Sequence, residues 1–576
     1  MTRLPIEIET INTDVVVVGG GGAASRAALS ARQQGADVHL VTKAAYGTGG
    51  STVHGASEIM SMGAAAGFGD ERDQPQVHFD DTMRAGEGFI DRDLVRVLAE
   101  DAPQRMRDLV ELGVPFDQLP AGGYKLIKSD FGTYGRCAGV RGKTGKAFVR
   151  AIADEMKKLG VHIDAPVMLV DLLRDADGAV SGILALDQER QVLLHYRAPS
   201  VVLATGGIHG AFSSQVSTPE MTGDGQAIAY RHGAELVNLE FHQFGPALLH
   251  PYIQLFSKSC FVLEPKMTNA EGHEFLPDYL PEGIEASEVY QEKVFPFTVS
   301  NPSRYIDISI AREVRERRGT PHGGVWFSFE DIPEADLERN IPNTMRWMKQ
   351  RGVDPRSEPI EVGIAFQCMN GGVRMTGATA ESSIPGLYVV GEVAGGVRGP
   401  DRPGGNSLAE GQVFGHRAGS AAANSAARRR PVADATLDES LDFLARVLSK
   451  GADSDFREPC AELRSAMQRE CLVEKTADGL AATRKIARDL RKDLDQSLSA
   501  TPETLIEAFS VRNLAQSAEL VLTACLDREE TRSGHLRTDY PKTEDARFGH
   551  SFTFHRGDNG EPERDVLNYR KTEETA

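Results

Sequence analysis

The sequence predicts an α/β fold: a parallel-sheet nucleotide domain, an inserted α+β domain and a C-terminal helical domain. Three observations carry that prediction. "DVVVVGGGGAASRAA" reads as a buried β-branched strand, a Gly-rich turn and a helix. "VVLATGG" (Val201–Gly207) and "GLYVVGE" (Gly386–Glu392) return to the buried-strand pattern far along the chain. Between and after them, the periodicity changes character.

The first unit, 1–240, opens with the strand–turn–helix–strand run Asp14–Lys43. Its helix "AASRAALSARQQG" ends at Gly35, and "ADVHLVT" is the second strand. Further βα material is expected up to Glu240. Residues 241–354 are richer in Pro and aromatics and hold both tryptophans, Trp326 and Trp347, so they read as the inserted capping domain. Residues 355–430 resume the first domain. After Arg428–Pro431 the chain turns helical over 431–540, with Leu437, Leu441, Leu444 and Leu448 at helical spacing. Thr501 is the expected N-cap of a helix with Pro502 in its first turn. Residues 541–576 are polar and read as a wrapped or loose tail.

Composition narrows the function classes. The 576 residues carry Lys+Arg 64 against Asp+Glu 83, a net charge of −19. Such a field repels phosphate backbones and anionic lipid, so nucleic acid is not an expected partner. No run approaches the ~18 apolar residues of a membrane span, and the acidic N-terminus lacks the apolar core of a signal peptide. The six cysteines are scattered with no CxxC pair. That argues against a disulfide framework or an iron–sulfur cluster, suits a reducing cytoplasm, and leaves no metal site expected.

The first turn fits G-x-G-x-x-A with Gly19, Gly21 and Ala24; Gly22 and Ala23 lie between. Such glycines admit a pyrophosphate to backbone N–H groups at a helix N-terminus. The second strand ends in Thr42–Lys43, where an acid for a ribose is usual. "ATGG" (Ala204, Thr205, Gly206) and the terminal Glu392 are the further signals of a two-dinucleotide-binding flavoprotein, so the expected cofactor is FAD.

With those stretches the chain resembles the flavoprotein subunits of succinate dehydrogenase and fumarate reductase, a family that includes L-aspartate oxidase and the adenylylsulfate reductase α subunit. "TGDGQAIAYRHGAEL" (with Asp224), "IPGLYVVGE", "DRPGGNSLAEGQVFG" and "REETRSGHLRTDYP" carry the resemblance over roughly 13–545. A lysine at the position of Lys43 also occurs in the family. The resemblance implies that Arg402 grips a substrate carboxylate beside the flavin. It also implies that Asn406, Ser407 and Leu408 start a helix aimed at the flavin pyrimidine edge. In "YGTGGSTVHGASE", the resemblance implies that Gly50, Ser51 and Thr52 meet the flavin. Ser51 replaces the histidine that bonds covalently to it in succinate dehydrogenases, so FAD is expected to be non-covalent.

Several family residues are replaced. The family's dicarboxylate-binding histidine aligns with Gly245, and the histidine of its "H-Y-x-M-G-G" stretch becomes Gln367. The arginine that moves the proton in fumarate reduction has no counterpart in "CFVLEPKMTNAEGHEF". Arg398 is a second cationic candidate. His242 and His250 are candidate bases in the capping domain. His54, Glu264, Lys266 and Arg304 are further candidates, each with a structural alternative: a satisfied histidine, an exposed strand edge, or a helix cap. The primary expectation is a dehydrogenase, reductase or oxidase that moves a hydride between a small anionic metabolite (carboxylate or amino acid) and flavin N5. The alternative is a component of a reductase complex, adenylylsulfate-reductase-like, exchanging electrons with an iron–sulfur or other electron-transfer protein. A descendant that keeps FAD only for stability is a third reading. A homo-oligomer is left open.

Overall fold

The computed structural model describes residues 6–55, 57–427, 435–449 and 454–570. Its organising element is a five-stranded parallel sheet in the order Leu387–Val389, Ser200–Leu203, Val15–Val18, Val38–Val41, His162–Asp164. All four residues of Val15–Val18 are buried, as a β-branched run with helices on both faces requires. The register aligns Val18 with Leu203 and Val41, and Leu203 with Val389. The turns beginning at Gly19, Ala204, Thr42 and Val390 therefore open at one edge, the carboxyl ends of the strands, where α/β sheets bind ligands.

Two helices cover the sheet. The helix Gly22–Gln33 follows the first strand, and the helix Asn406–Ala426 crosses it. The crossing is made of small residues. A Cβ on Gly415 would come within 2.8 Å of the Ala23 carbonyl oxygen, and one on Gly419 within 2.1 Å of that of Ala27. Arg26 Nε donates to Gln412 Oε1 at 2.9 Å, and Gln412 Nε2 donates to the Gly22 carbonyl at 3.1 Å.

The stretch between His162–Asp164 and Ser200–Leu203 differs from the expected βα repeat. Val167–Arg174, Val180–Asp187 and Val192–Arg197 form an antiparallel meander that pairs with Ile8–Asn12. Its links, Asp175–Ala179 and Gln188–Gln191, are too short for a crossover helix.

The capping sheet runs Gln254–Leu255, His242–His250, Ile360–Met369, Val325–Ser328, Lys266–Thr268. Its long central pair, His242–His250 with Ile360–Met369, carries the sheet past residue 354. The helical region comprises Leu437–Leu448, Arg457–Glu470, Ala477–Ser497 and Leu505–Asp527. The last of these starts at Leu505, three residues later than a cap at Thr501 implies. Thr501 and Thr504 close a turn on one another instead, and the N-cap is Thr504. The junction read at Arg428–Pro431 lies outside the described residues.

The segment read as a tail is partly a sheet. Ser551–Arg556 pairs with Leu236–Val237 and with Pro562–Leu567. Its Phe552 and Phe554 are buried, two alternate aromatics supplying the apolar face that composition alone obscured. The "REETRSGHLRTDYP" stretch holds this end in place. Arg528 is wholly buried, with Nε donating to Glu240 at 2.7 Å and Nη1 to Glu530 at 3.1 Å, and Arg532 reaches Glu87, Glu530 and Asp545. No helix among the described residues is long and apolar enough to cross a membrane.

The helix crossing yields a prediction. Helix propensity favours alanine over glycine by about 1 kcal/mol. At Gly419 the 2.1 Å approach to a backbone oxygen outweighs that gain. Gly419→Ala is expected to cost about 1–3 kcal/mol, seen as a lower urea midpoint and weaker FAD retention. Gly377→Ala, where nothing lies within 4 Å of the added Cβ, serves as the neutral control. Equal midpoints for the two variants would contradict the close-crossing account.

Candidate active site

The convergent strand ends open a long cleft that runs from the Gly19 turn to Arg402. Gly19, Gly21, Gly22 and Ala23 line its first part. Gly19 has φ +135, and a Cβ there would meet the Ala204 carbonyl oxygen at 2.2 Å, so only glycine fits the turn. The helix that follows has Gly21 as its N-cap with no capping side chain; Thr52 takes the Gly22 N–H, and the N–H groups after it are left for an anion. Ala24 does not reach the cleft. It is fully buried one residue further along the helix, facing the core.

Thr42 and Lys43 line the next part. Lys43 Nζ donates to Asp224 Oδ2 at 3.1 Å and to Thr222 Oγ1 at 2.9 Å. Lys43 thus finds its carboxylate partner in the "TGDG" segment. Asp224 is itself fixed by Asn513 Nδ2 at 2.8 Å, a residue of the helical region.

Gly50, Ser51, Thr52, Ala204, Thr205 and Gly206 form the middle of the cleft. Thr52 Oγ1 accepts from the Gly22 N–H at 3.3 Å. Ser51 Oγ donates to Ser217 Oγ at 3.0 Å and lies 3.3 Å from His209 Nε2. His209 is buried and gives its Nε2–H to the Gln367 carbonyl at 2.7 Å. Among the described residues, no histidine lines the cleft. Glu392 accepts from the Met369 N–H at 3.0 Å and faces the cleft beside Gly207.

Ser407 and Leu408 line the far end, in the first turn of the Asn406–Ala426 helix, whose N-cap Gly405 supplies no side-chain cap. Asn406 does not face the cleft. Its Oδ1 accepts from His78 Nε2 at 2.8 Å and its Nδ2 donates to Thr82 at 3.0 Å. It ties the helix start to a neighbouring helix and reaches a cofactor only through that helix.

The cleft fits FAD on its own observations. It has two uncapped helix N-termini, a turn that only glycine can make, and two buried oxygens without a protein partner, Thr205 Oγ1 and Gln367 Oε1.

The two arginines of the loop differ. Arg398 Nη1 donates to the Met369 carbonyl at 2.9 Å, Nη2 to those of Gly391 and Ala394 at 3.0 Å, and Nε stands 2.9 Å from Glu410 Oε2. It lines the cleft, but its charge is paired with Glu410 and both terminal nitrogens bond backbone carbonyls, so it holds the loop and is not a free cation for substrate. Arg402 Nε donates to Gln243 Oε1 at 2.9 Å and Nη1 to the Pro403 carbonyl at 3.1 Å. No described carboxylate pairs with it, and it lines the cleft.

Neither candidate base lies there. His242 is buried outside the cleft, its Nε2 donating to the Leu239 carbonyl at 2.9 Å; burial pushes its pKa down to about 3. His250 is exposed at the far end of the strand and stacks on His322 with ring centroids 4.3 Å apart. Strand alternation explains His242: it and Gln243 point to opposite faces, and Gln243 faces Arg402. His54 is exposed and bonds the Thr48 carbonyl. Glu264 and Lys266 are exposed, Lys266 being paired with Glu274 at 3.0 Å, and Arg304 caps its own loop through Val299 and Tyr305.

The cleft includes residues not singled out in the sequence: Ser129, Asp130, Phe295, Cys368 and Gln412. Asp130 Oδ2 accepts from the Phe295 N–H at 3.1 Å, and burial pushes its carboxyl above the usual range. Phe295 explains Gly245. Its Cε2 lies 2.4 Å from where a Cβ at 245 would be, so the aromatic ring takes the space of the side chain missing at Gly245. "HQFGP" offered a signal for Gln243, since glutamine beside a binding loop can orient an arginine.

Comparison with known proteins agrees with this geometry. Residues 14–408 match the family described as FAD binding domain, and 460–575 that described as fumarate reductase flavoprotein C-term. The chain is 33% identical over 562 residues to a subunit of fumarate reductase (CoM/CoB) from Methanothermobacter marburgensis, covering 93% of this chain and 96% of that one. It is 30% identical to L-aspartate oxidase of Streptomyces coelicolor, covering 93% and 90%. Among solved structures, Sdh1 of Mycobacterium smegmatis in complex with UQ1 superimposes with a TM-score of 0.82 at 28% identity, covering 97% and 95%. The chain therefore belongs to the flavoprotein family of fumarate reductases and succinate dehydrogenases, and it is an FAD-dependent oxidoreductase.

Proposed function

We propose that the chain moves a hydride between a small carboxylate metabolite and non-covalently held FAD, with Arg402 gripping the carboxylate and Asp130 handling the proton. The observation that carries this reading is the guanidinium of Arg402, without a described counter-ion, at the end of the flavin cleft. A buried cation without a counter-ion is costly, and a bound anion removes that cost. FAD, when bound, supplies the hydride acceptor or donor. The residues of the chain do the rest. Gln243 fixes the Arg402 fork through Nε, and the first turn of the Asn406–Ala426 helix presents positive partial charge to the flavin edge.

Gly245 and Gln367 stand where the resemblance implies cationic or hydrogen-bonding histidines, and the Phe295 ring fills the space beside Gly245. One cation and an aromatic wall favour a monocarboxylate with a neutral, partly apolar body over a dicarboxylate. Asp130 is the acid–base group at that end: it lines the cleft beside Phe295, and burial raises its carboxyl pKa. A second reading is that electrons pass onward to an iron–sulfur partner. It is favoured by the naming of the Methanothermobacter relative as one subunit of its enzyme. Fast reoxidation of the reduced flavin by oxygen in the isolated chain would count against it.

Anaerobic bleaching of the bound flavin against a panel of mono- and dicarboxylates and amino acids tests the site. Arg402→Gln is expected to weaken the effective substrate by roughly 2–5 kcal/mol, read as a higher concentration for half-maximal bleaching. Asp130→Asn is expected to slow the bleaching rate by about 10²–10⁴-fold with little change in that concentration. Unchanged bleaching in both variants would remove the assignment.

Acid precipitation should release all the flavin into the supernatant, because Ser51 offers no imidazole for a covalent bond. Yellow colour retained in the washed pellet would overturn the non-covalent assignment.

Asp401, next to Arg402, sets an expected pH dependence. It is buried, accepts from Thr298 Oγ1 at 3.2 Å, and burial is the main cause that raises its pKa to about 7. Because the folded-state value lies above the unfolded one, the stability it contributes is complete below about pH 4 and is lost as pH rises through about 7, amounting to ~4 kcal/mol. Its ionisation also places a negative charge beside Arg402, so substrate affinity should fall over the same upper range. Asp401→Asn is expected to flatten both profiles, measured by urea unfolding and by substrate titration between pH 5 and 9.

A further inference from the structure

Away from the flavin cleft, three side chains distant in sequence meet in the core. A ring nitrogen of His242, Cys471 Sγ and Cys525 Sγ all lie within 4.8 Å of one another, and all three residues are buried. His242 begins the long strand of the capping sheet, Cys471 ends the helix Arg457–Glu470, and Cys525 lies in the helix Leu505–Asp527. Neither thiol is in a disulfide. The scatter of cysteines along the sequence, which argued against a metal site, hid this convergence.

The histidine is prepared as a ligand. A carbonyl can only accept, so the 2.9 Å contact with the Leu239 oxygen means that Nε2 carries the hydrogen. Nδ1 then holds a lone pair, and it is buried without any hydrogen-bond partner. Fixing one ring nitrogen on a backbone carbonyl while the other faces a metal is the usual second-sphere arrangement of ligating histidines. A buried ring nitrogen without a hydrogen-bond partner otherwise carries a desolvation cost with nothing in return.

We propose that His242, Cys471 and Cys525 bind one thiophilic d¹⁰ cation, Cu⁺ or Zn²⁺, through Nδ1 and two thiolates. Soft sulfur ligands with imidazole select these ions over Mg²⁺ or Ca²⁺. Ligand atoms about 2.0–2.3 Å from such an ion stand roughly 4 Å apart in a trigonal site, so closing from the present spacing needs only small side-chain shifts. Binding deprotonates both thiols and releases two protons. The buried Lys475 donates to the Leu472 carbonyl at 2.9 Å and has no described carboxylate partner. Zn²⁺ alone offsets the two thiolates, whereas Cu⁺ does so together with a Lys475 ammonium, which faces both sulfurs. The ion would join the capping sheet to two helices of the C-terminal region. It would also fix the strand residue preceding Gln243, the partner of Arg402.

The test uses the full FAD-loaded chain, reduced and made metal-free, then titrated anaerobically with Cu⁺ and separately with Zn²⁺ against a chromophoric chelator. Metal is counted by mass spectrometry, and Co²⁺ gives a thiolate-to-metal charge-transfer band as a direct signature of sulfur ligation. About one equivalent of one of the two ions, a cobalt–thiolate band, and at least a tenfold weaker affinity in Cys471→Ser and in Cys525→Ser would support the site. Which ion wins the competition decides between the two charges. Failure of the wild-type chain to take up a stoichiometric ion while alkylation finds both thiols free would overturn the proposal, whether or not the variants fold. So would a Cys471–Cys525 disulfide in the protein isolated without reductant, or undiminished binding by both serine variants.

Discussion

The crossing of the helices Gly22–Gln33 and Asn406–Ala426 is the constraint on which the site depends. One begins at the glycine turn and the other immediately after the Arg402 loop, so their separation sets the distance between the two ends of the cleft. Gly411, Gly415 and Gly419 let the second helix ride on the Ala23–Ala27 face of the first. Larger side chains there would push the helices apart. That displacement would move the N-terminus that receives a pyrophosphate relative to the one presented to the flavin ring. A small-residue seam, with Gln412 bridging Arg26 and Gly22, converts a packing rule into an alignment of two helix ends.

The same loop shows how surroundings assign different work to identical side chains. Arg398 and Arg402 are both nearly buried. Arg398 meets three carbonyls through its terminal nitrogens and pairs with the Glu410 carboxylate, so its charge is met inside the protein. Arg402 meets a neutral glutamine and one carbonyl. Only the second retains an electrostatic demand that a ligand can meet. Position in a motif could nominate both; the counter-ion separates them.

What the sequence made legible follows from the range of the interactions involved. The strand–turn–helix at Val15–Gln33, the glycine turn and the Ser407–Leu408 helix start are local: strand, turn and first helical turn lie within a few residues, and residue type alone announces them. The pairing of Lys43 with Asp224, the Phe295 ring beside Gly245 and the Gln243–Arg402 bond join residues tens to hundreds of positions apart, and no periodicity reports them. His242 and His250 stand out by their chemistry, yet strand alternation and strand length carry one into the core and the other to the surface. The 551–567 strands escape a reading by composition because only Phe552 and Phe554 mark their buried face, amid charges that suit an exposed hairpin partner.

The strand His242–His250 gathers these threads. Its period of two sends His242 toward the helical region and Gln243 toward Arg402. Two residues on from Gln243, Gly245 yields its side-chain space to Phe295. A single strand thereby supports Arg402 on one face and meets Cys471 and Cys525 on the other. Rigid strands transmit position along their backbone far better than loops do. Whatever secures His242 therefore also limits the freedom of Gln243, and through Gln243 the orientation of the guanidinium on which anion recognition rests.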